Sequence, residues 1–127
     1  MELDLIEFDN KRPVYIQIIE FIKKQIVNEN LALGEKIPSV RELAGNLSVN
    51  VNTIQKSYKE LEREGVTITK RGMGSFVTED KDVIIKLKKD MAETIVDDFL
   101  KDMNDIGYDK NQIISILNER GLNNAWG

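Results

Sequence analysis

The sequence contains no cysteine and no histidine. The chain therefore has no disulfide and no thiolate nucleophile, and it lacks both the commonest general base and the side chains that most often ligate zinc. Its longest apolar runs are only a few residues, far shorter than the roughly 20 residues that cross a bilayer. The N-terminus, Met1–Asp4, is acidic and lacks the basic start of a signal peptide. These absences predict a cytoplasmic protein without a membrane partner, and among metal sites they leave only those built from oxygen ligands. Since no histidine or cysteine can hold a metal and the C-terminal segment is too short to enclose a large pocket, we predict no bound metal and no cofactor.

Carboxylate chemistry is the main catalytic option that this composition leaves. Adjacent acidic residues such as Asp97 and Asp98 occur, but neighbouring side chains on a helix point in different directions. No group of residues converges on a reaction site. We therefore predict that the protein is not an enzyme.

The charge of the chain is unevenly distributed. The chain has 127 residues, 41% hydrophobic and 31% charged, which is the balance of an ordinary globular protein. Residues 1–78 contain 11 basic and 11 acidic residues, whereas residues 79–127 contain 7 and 11, which accounts for the net charge of −4. Residues 36–77 alone contain 7 basic and 4 acidic residues. This distribution favours a nucleic-acid-binding surface in the first part of the chain.

Hydrophobic spacing and capping signals predict three helices in the first half of the sequence. Apolar residues recur at helical spacing over residues 13–29. Ser39 and Glu42 form a capping-box pattern, which predicts a short helix over about residues 40–47. Asn50 is a typical N-cap for the third helix.

A hairpin and two further helices are predicted after them. Two β-rich runs, Val66–Thr69 and Ser75–Thr78, flank the basic, glycine-containing segment Lys70–Gly74, which predicts a hairpin with a basic tip. Helical spacing then extends for about six turns until Gly107. A second capping-box pattern at Asp109 predicts a last short helix.

A short helix, a tight turn and a second helix, followed at once by a hairpin, are typical of a winged helix-turn-helix, whose second helix enters the major groove of DNA. The candidate DNA-binding residues are Arg41, Asn50, Asn52, Thr53, Gln55 and Lys56 on the helices and Lys70, Arg71 and Gly72 at the hairpin tip. Each signal alone has a simpler interpretation, because Asn50 is a helix cap, polar helix faces are usually just solvated, and basic hairpin tips are often ordinary turns. Their combination in this order favours DNA binding.

The same residues resemble the GntR family of bacterial transcription regulators. The resemblance rests on the runs Gly34–Ala44 and Leu47–Ile54, on Arg71–Val77, which is close to the family's Gly-x-Gly-Thr-Phe-Val wing, and on Pro13–Ile18, Tyr58, Leu61 and Gly65. It covers about residues 11–78, and its motifs keep a fixed spacing from one another.

The resemblance also implies DNA contacts at particular positions. Arg41 matches the arginine of the family's Pro-Ser-x-Arg run, which meets the DNA. Asn50, Asn52, Thr53 and Gln55 match the turn and the start of the recognition helix, and Arg71 and Gly72 match the wing tip that reaches the minor groove. Val51 departs from the pattern, since many relatives carry there an arginine that reads guanine. This departure shifts specificity onto Arg41, Gln55 and Lys56.

The length of the C-terminal segment is similar to that of the YtrA subgroup. About 47 residues follow Asp80, too few for the ligand-binding domains of the large GntR branches. The resemblance implies a short helical tail for dimerisation, in a subgroup that often regulates transporter operons. We therefore expect a mainly α fold with a small β-hairpin wing, with a winged helix-turn-helix domain over residues 1–79 and a two-helix dimerisation segment over residues 80–127. A small effector at a dimer interface remains an open option.

The long predicted helix carries an apolar stripe. Its first set of residues is Leu87, Met91, Ile95 and Phe99, and a second set, Ala92, Val96 and Leu100, widens it. The short last helix is too small to cover this stripe, so we predict that a second chain buries the remainder, with Leu122 and Trp126 covering its edge. The alternative is a monomer in which the apolar faces close on each other and on the winged domain.

These observations predict a homodimeric, sequence-specific transcription regulator. Its partners would be a second copy of the chain and double-stranded operator DNA, with half-sites arranged as an inverted repeat. The simplest mode of action is repression, in which the protein occupies an operator that overlaps a promoter and so excludes polymerase. The alternative from another class is a winged-helix module that binds proteins and makes no DNA contact.

Overall fold

A computed structural model describes residues 6–121. The elements are, in chain order, α1 (Val14–Val27), α2 (Val40–Leu47), α3 (Val51–Arg63), β1 (Thr67–Lys70), β2 (Gly74–Val77), α4 (Lys81–Asp105) and α5 (Lys110–Glu119). The prediction of a mainly helical fold with a two-stranded wing is therefore confirmed. The chain divides into two compact units, Met1–Lys88 and Lys89–Gly127.

Side-chain caps fix the starts of the short helices. The Oγ of Ser39 accepts a hydrogen bond from the N–H of Glu42 at 3.1 Å, and Glu42 Oε1 accepts one from the N–H of Ser39 at 3.3 Å. Asp109 and Gln112 form the same reciprocal pair at the start of α5, with both distances at 2.9 Å. Because these bonds satisfy N–H groups that the helix itself leaves unpaired, both capping boxes predicted from the sequence are confirmed.

The turn between α2 and α3 is tight. Ser48 has a positive φ of 54°, which ends α2 in the left-handed region. The side chain of Asn50 then accepts a hydrogen bond from the N–H of Asn52 at 2.7 Å. This confirms Asn50 as the N-cap of α3. The three residues of the turn set the angle at which α3 leaves α2, as a helix-turn-helix requires.

The core of the first unit lies between the three short helices. Ile18 and Ile22 of α1, Leu43 of α2, and Ile54 and Leu61 of α3 are each at most 1% exposed. Burial of each such side chain contributes roughly 1.5–3 kcal/mol. The opposite faces of α2 and α3 are therefore left to solvent, and they carry the polar residues of the candidate site.

The wing is held by three chain segments. β1 and β2 pair antiparallel, with Lys70 opposite Gly74. The segment before α2 lies alongside β2 and bonds to it. The N–H of Val77 donates to the carbonyl of Glu35 at 2.8 Å, and the N–H of Ile37 donates to the carbonyl of Ser75 at 2.9 Å. The base of the wing is therefore tied to the chain that leads into α2.

The hairpin extends one residue further than the sequence indicates. The sequence predicts Lys70 in the tip, but Lys70 is the last residue of β1, and only Arg71–Met73 form the loop. The reason is that the strand pairing continues to Lys70 and Gly74, and the carbonyl of Lys70 accepts a hydrogen bond from the N–H of Met73 at 2.8 Å. The strands therefore reach one residue nearer to the tip than predicted, and Lys70 is both the last residue of β1 and the first residue of the turn.

The second unit contains the rest of α4 together with α5. Ile113 of α5 is buried, at 7% exposure, whereas Ile95 and Val96 of α4 are 63% and 52% exposed. Within residues 6–121, no helix has the length and apolar character needed to cross a membrane.

Candidate DNA interface

All nine predicted DNA-binding residues lie in the first unit. Eight of them are exposed to solvent, and Thr53 is half-buried. They lie in three places, which are the first turn of α2, the turn and first two turns of α3, and the end of the wing.

The exposed side of α3 brings several of these residues together. Asn52, Gln55 and Lys56 line one shallow surface cleft of about 360 Å³. The same cleft is also lined by Lys59, Glu60 and Arg63, which were not among the predicted residues. Helical spacing could have found them, because residues three or four apart share a face. The cleft presents amide groups that can hydrogen-bond base edges, beside cations that can contact phosphates.

Lys56 is held against the first helix. Its Nζ lies 3.9 Å from the centroid of the Tyr15 ring, a cation–π contact worth about 0.5–1 kcal/mol at an exposed site. Tyr15 belongs to the run in which the sequence resembles the family, but it was not a candidate site residue. The contact limits the positions that the Lys56 ammonium group samples, so it is presented at a defined place beside the start of α3.

A buried serine anchors the recognition helix. Ser57 is fully buried, and its hydroxyl lies 3.1 Å from the carbonyl oxygen of Tyr15 and 3.0 Å from that of Thr53. The hydroxyl therefore links α3 to the start of α1 at the level of the candidate residues. This link helps to fix the position of α3, and therefore of Asn52 and Gln55, relative to α1.

Tyr58 connects α3 to the start of α2. Its hydroxyl donates a hydrogen bond to the carbonyl oxygen of Pro38 at 2.7 Å, and the residue is only 7% exposed. Burial raises the pKa of Tyr58 well above its usual range, and the negative charge of Glu42 adds to the effect. The hydroxyl thus remains protonated and continues to donate at neutral pH.

Arg41 lies in the first turn of α2, three residues after Pro38, which accepts the hydrogen bond from Tyr58. It is exposed, and its guanidinium forms no ion pair or hydrogen bond with any residue between 6 and 121. A guanidinium without an internal partner keeps all its donors for a phosphate or for the O6 and N7 atoms of guanine.

The wing presents its cations in two ways. Lys70 Nζ lies 4.5 Å from the ring centroid of Phe76, whereas Arg71 is exposed at the loop and has no ion pair among the described residues. Gly72 has a positive φ of 77°, which glycine adopts without steric cost.

Lys36 was not among the predicted residues, yet its Cε would lie 3.0 Å from a Cβ placed at Gly74. The side chain of Lys36 therefore lies beside Gly74 of β2, where it adds a further cation to the wing.

The acidic residues of this region are engaged in bonds inside the first unit. Glu42 completes the α2 capping box, Glu62 accepts a hydrogen bond from Thr69, and Glu64 pairs with Lys23 at 2.9 Å. Glu60 binds the guanidinium of Arg63, a hydrogen bond that lowers the pKa of the Glu60 carboxyl. Two of these carboxylates, Glu60 and Glu64, are thus paired with cations of the same unit, whereas Arg41 and Arg71 have no ion pair among the described residues.

The predicted dimer residues differ in their exposure. Leu87 is buried within the single chain, at 8% exposure, and Met91 is half-buried. Ile95 and Phe99 are 63% and 37% exposed. Leu122 and Trp126 lie outside the described residues.

Within residues 6–121, no three or more acidic side chains are grouped so that they could hold a metal ion.

Comparison with known proteins identifies the family. The model of the bacterial regulatory proteins of the gntR family matches residues 14–77, which is half of the chain and includes α1–α3 and the wing. The chain belongs to the GntR family. The predicted membership of this family is thereby confirmed, and the protein is a DNA-binding winged-helix transcription regulator and not an enzyme.

Two relatives from Bacillus subtilis resemble this GntR regulator beyond the winged domain. It is 37% identical over 108 residues to the uncharacterized HTH-type transcriptional regulator YhcF, and the match covers 85% of this chain and 89% of YhcF. It is 40% identical over 91 residues to the HTH-type transcriptional repressor YtrA, with 67% and 70% covered. These similarities agree with the predicted likeness to the YtrA subgroup.

Solved structures show the same fold. A GntR family transcriptional regulator from Listeria monocytogenes matches with a TM-score of 0.80 and 40% identity, covering 88% of this chain and 98% of that one. The DNA-binding domain of AraR in complex with operator ORX1 matches with a TM-score of 0.53 and 28% identity, covering 57% of this chain and 93% of that one. The second structure shows a domain of this fold bound to operator DNA.

Proposed function

We propose that this GntR regulator is a homodimeric repressor that binds an inverted-repeat operator with Arg41, with the exposed side of α3 and with the wing. The observation that carries the DNA-binding part is the cleft of Asn52, Gln55 and Lys56 on α3. It combines base-reading amides with a cation, and α2, the helix before it, supplies the exposed guanidinium of Arg41. α3 enters the major groove, where asparagine and glutamine recognise adenine and arginine recognises guanine.

The wing supports binding without much sequence preference. Lys70, Arg71 and Lys36 supply cations that contact phosphates or the minor groove, which distinguishes base pairs poorly. The close approach of the backbone at Gly72 suits the narrow groove. In this proposal the wing adds affinity and α3 adds specificity.

The exposed apolar surface of α4 supports the homodimer. Ile95, Val96, Phe99 and Leu100 are between 37% and 63% exposed in the single chain, and a contiguous patch of this kind is typical of an interaction surface. A second copy is the partner proposed for it, because a two-fold pair would place two α3 helices in successive major grooves. In this arrangement residues 80–127 act as the dimerisation segment.

Repression follows from occupancy of the operator. A dimer bound across a promoter excludes polymerase by its bulk, and this step needs no further domain. The relation to YtrA, whose name describes a transcriptional repressor, supports repression over activation. A transporter operon is the regulated target that we propose, by resemblance to the same subgroup, and the cytoplasm, which holds the bacterial chromosome, is the compartment.

Selection of bound fragments from the host genome, followed by fluorescence anisotropy at several salt concentrations, tests this function. We expect an inverted repeat with half-sites about one helical turn apart, bound at least about 10³-fold more tightly than random DNA. The absence of salt-sensitive binding to any fragment would instead favour a winged-helix module that binds proteins.

A further inference from the structure

The first unit contains an apolar groove, and none of the proposed DNA-binding residues lines it. It has a volume of about 700 Å³ and lies between the C-terminal end of α1, the loop that follows, and the first two turns of α4. Ile26 and Leu31 form its buried floor, at 2% and 1% exposure. The volume falls within the range of about 300–1,000 Å³ that is typical of small-molecule sites.

One face of α4 forms a wall of this groove. Lys81, Ile84, Ile85 and Lys88 all line it, at the spacing of three and four residues that places side chains on one helix face. Two ammonium groups therefore stand at the two ends of an apolar wall. Their helix positions are about 10 Å apart, given a rise of about 1.5 Å per residue.

The two lysines are available for a ligand. Neither Lys81 nor Lys88 forms an ion pair or side-chain hydrogen bond with any residue in the described range, whereas the neighbouring Lys89 lies 3.9 Å from Glu93. Glu29 is the one acidic residue among those that line the groove, so the lining carries a net positive charge. Exposed apolar surface remains on both sides, since Ile85 is 67% and Leu33 40% exposed.

We propose that this groove binds a small organic anion with an apolar body, such as an amphiphilic carboxylate. The apolar body would cover Ile84, Ile85 and Leu33, and burial of this surface would supply most of the binding free energy. The anionic head would meet Lys81 or Lys88 in a charge-assisted hydrogen bond. Charge complementarity thus selects an anion over a neutral or cationic compound of the same shape.

The groove is connected to the wing through both of its walls. Leu33 is followed by Gly34, whose N–H donates to the carbonyl of Val77 in β2 at 3.0 Å. On the other side, three residues separate the end of β2 from Lys81. A ligand that favours one position of these walls changes the position of the wing, and hence the affinity for DNA. This regulatory part rests on the proposed function, whereas the binding part does not.

Calorimetric titration of the full chain with decanoate, below its micelle concentration and without DNA, tests the binding part. We expect one site per chain and binding at least about tenfold weaker for decyltrimethylammonium, which has the same chain and the opposite charge. The double variant Lys81→Gln with Lys88→Gln should lose about tenfold in decanoate affinity and the preference for the anion. Lys89→Gln, which removes one lysine charge at the position next to Lys88, should bind as the unmodified chain does.

A second pair of variants tests the apolar wall. Ile85→Glu should abolish decanoate binding, while Ile106→Glu, at a residue of similar exposure (69%), should leave it unchanged. Equal affinity for both head groups, equal loss in Lys89→Gln, or no saturable binding would overturn the proposal. Binding seen only after the dimer is disrupted would also overturn it, since a second copy of the chain would then cover the groove.

The regulatory part has its own measurement. Saturating decanoate should change operator affinity, and operator should change decanoate affinity by the same factor, because coupling between two sites is reciprocal. The double lysine variant should lose this coupling. If decanoate binds and operator affinity does not move, the regulatory part is wrong. If no DNA binds at all, the proposed function fails and the decanoate result still stands.

Discussion

The hydroxyl of Tyr58 donates a hydrogen bond to the carbonyl oxygen of Pro38, at 2.7 Å and across 20 positions of the sequence. Tyr58 belongs to α3, and Pro38 immediately precedes the cap of α2. The two helices of the helix-turn-helix are therefore joined at a second place besides the turn. This bond and the buried contact surface of Leu43 and Ile54 together hold the two helices in their arrangement.

Tyr58→Phe removes this bond and keeps the ring in the core. We expect the free energy of unfolding to fall by about 1 kcal/mol, because the half-buried carbonyl of Pro38 loses its donor. Urea denaturation measures the change. Tyr15→Phe is the matched control, since the hydroxyl of Tyr15 makes no hydrogen bond with any described residue. An equal loss in both variants would contradict a specific role for the Tyr58 hydroxyl.

Arg41→Ala should weaken operator binding by roughly 1–3 kcal/mol, the usual value of a good base or charged phosphate contact. The exposed guanidinium has no partner among residues 6–121, so we expect the circular dichroism spectrum and melting temperature to be unchanged. Arg120→Ala removes the same charge from the second unit and should keep full affinity. A folded Arg41→Ala variant with unchanged operator affinity would exclude Arg41 from the interface.

Gln55→Ala should relax the preference at one position of each half-site. The change removes a hydrogen-bonding amide and no charge, so binding to random DNA should remain the same. Affinities for a set of operators with single base-pair changes measure this effect. If the preference profile stays the same at every position, Gln55 is only a solvated residue.

Replacement of both Lys70 and Arg71 by alanine should weaken binding to operator and to random DNA alike. For every phosphate that the variant no longer neutralises, the slope of log affinity against log salt concentration should fall by about 1. The variant also lacks the stacking of Lys70 on Phe76, so melting temperatures should be compared. Lys101→Ala with Lys110→Ala, which removes the same number of positive charges from the second unit, is the control for charge alone. An unchanged salt slope in the double variant would show that the hairpin is an ordinary turn.

Ile95→Lys combined with Phe99→Glu should convert the dimer into a monomer that binds operator far more weakly. Both side chains are exposed in the single chain, so the winged domain should stay folded. Sedimentation velocity measures the oligomeric state. Thr94→Lys with Lys101→Glu introduces the same two side chains about 100° or more around α4 from the exposed apolar surface, and this variant should remain a dimer. Unmodified protein that sediments as a monomer, alone and on operator DNA, would contradict the proposal.

The elements that the sequence predicted well depend on local chemistry. The capping boxes at Ser39 and Asp109 and the N-cap at Asn50 involve residues two or three positions apart, so each is visible in a short stretch of sequence. The family's motifs for α2, α3 and the wing have fixed spacings for the same reason. Most of the candidate DNA-binding surface could therefore be predicted before the fold was known.

The features that escaped prediction depend on partners far along the chain. Neither the contact of Lys56 with Tyr15 nor the bond from Tyr58 to Pro38 leaves a periodic signal. The end of β1 at Lys70 is decided by its pairing with Gly74, which propensity does not specify. Leu87 shares the spacing of Ile95 and Phe99 but is buried within the first unit, because periodicity identifies an apolar face without identifying what covers it.

The engaged acidic residues of the winged unit have a consequence for how the protein behaves in solution. Residues 89–127 contain 8 acidic and 4 basic residues, while the free cations lie on α2, α3 and the wing. Each molecule thus carries regions of opposite charge, and at about 0.01 M ionic strength their fields reach roughly 30 Å. We therefore expect that separate molecules attract one another through these regions in dilute buffer, and that both anion- and cation-exchange resins retain the chain. Near physiological salt the reach falls to about 8 Å, and the polyanionic DNA competes for the cationic region with little interference from neighbouring copies.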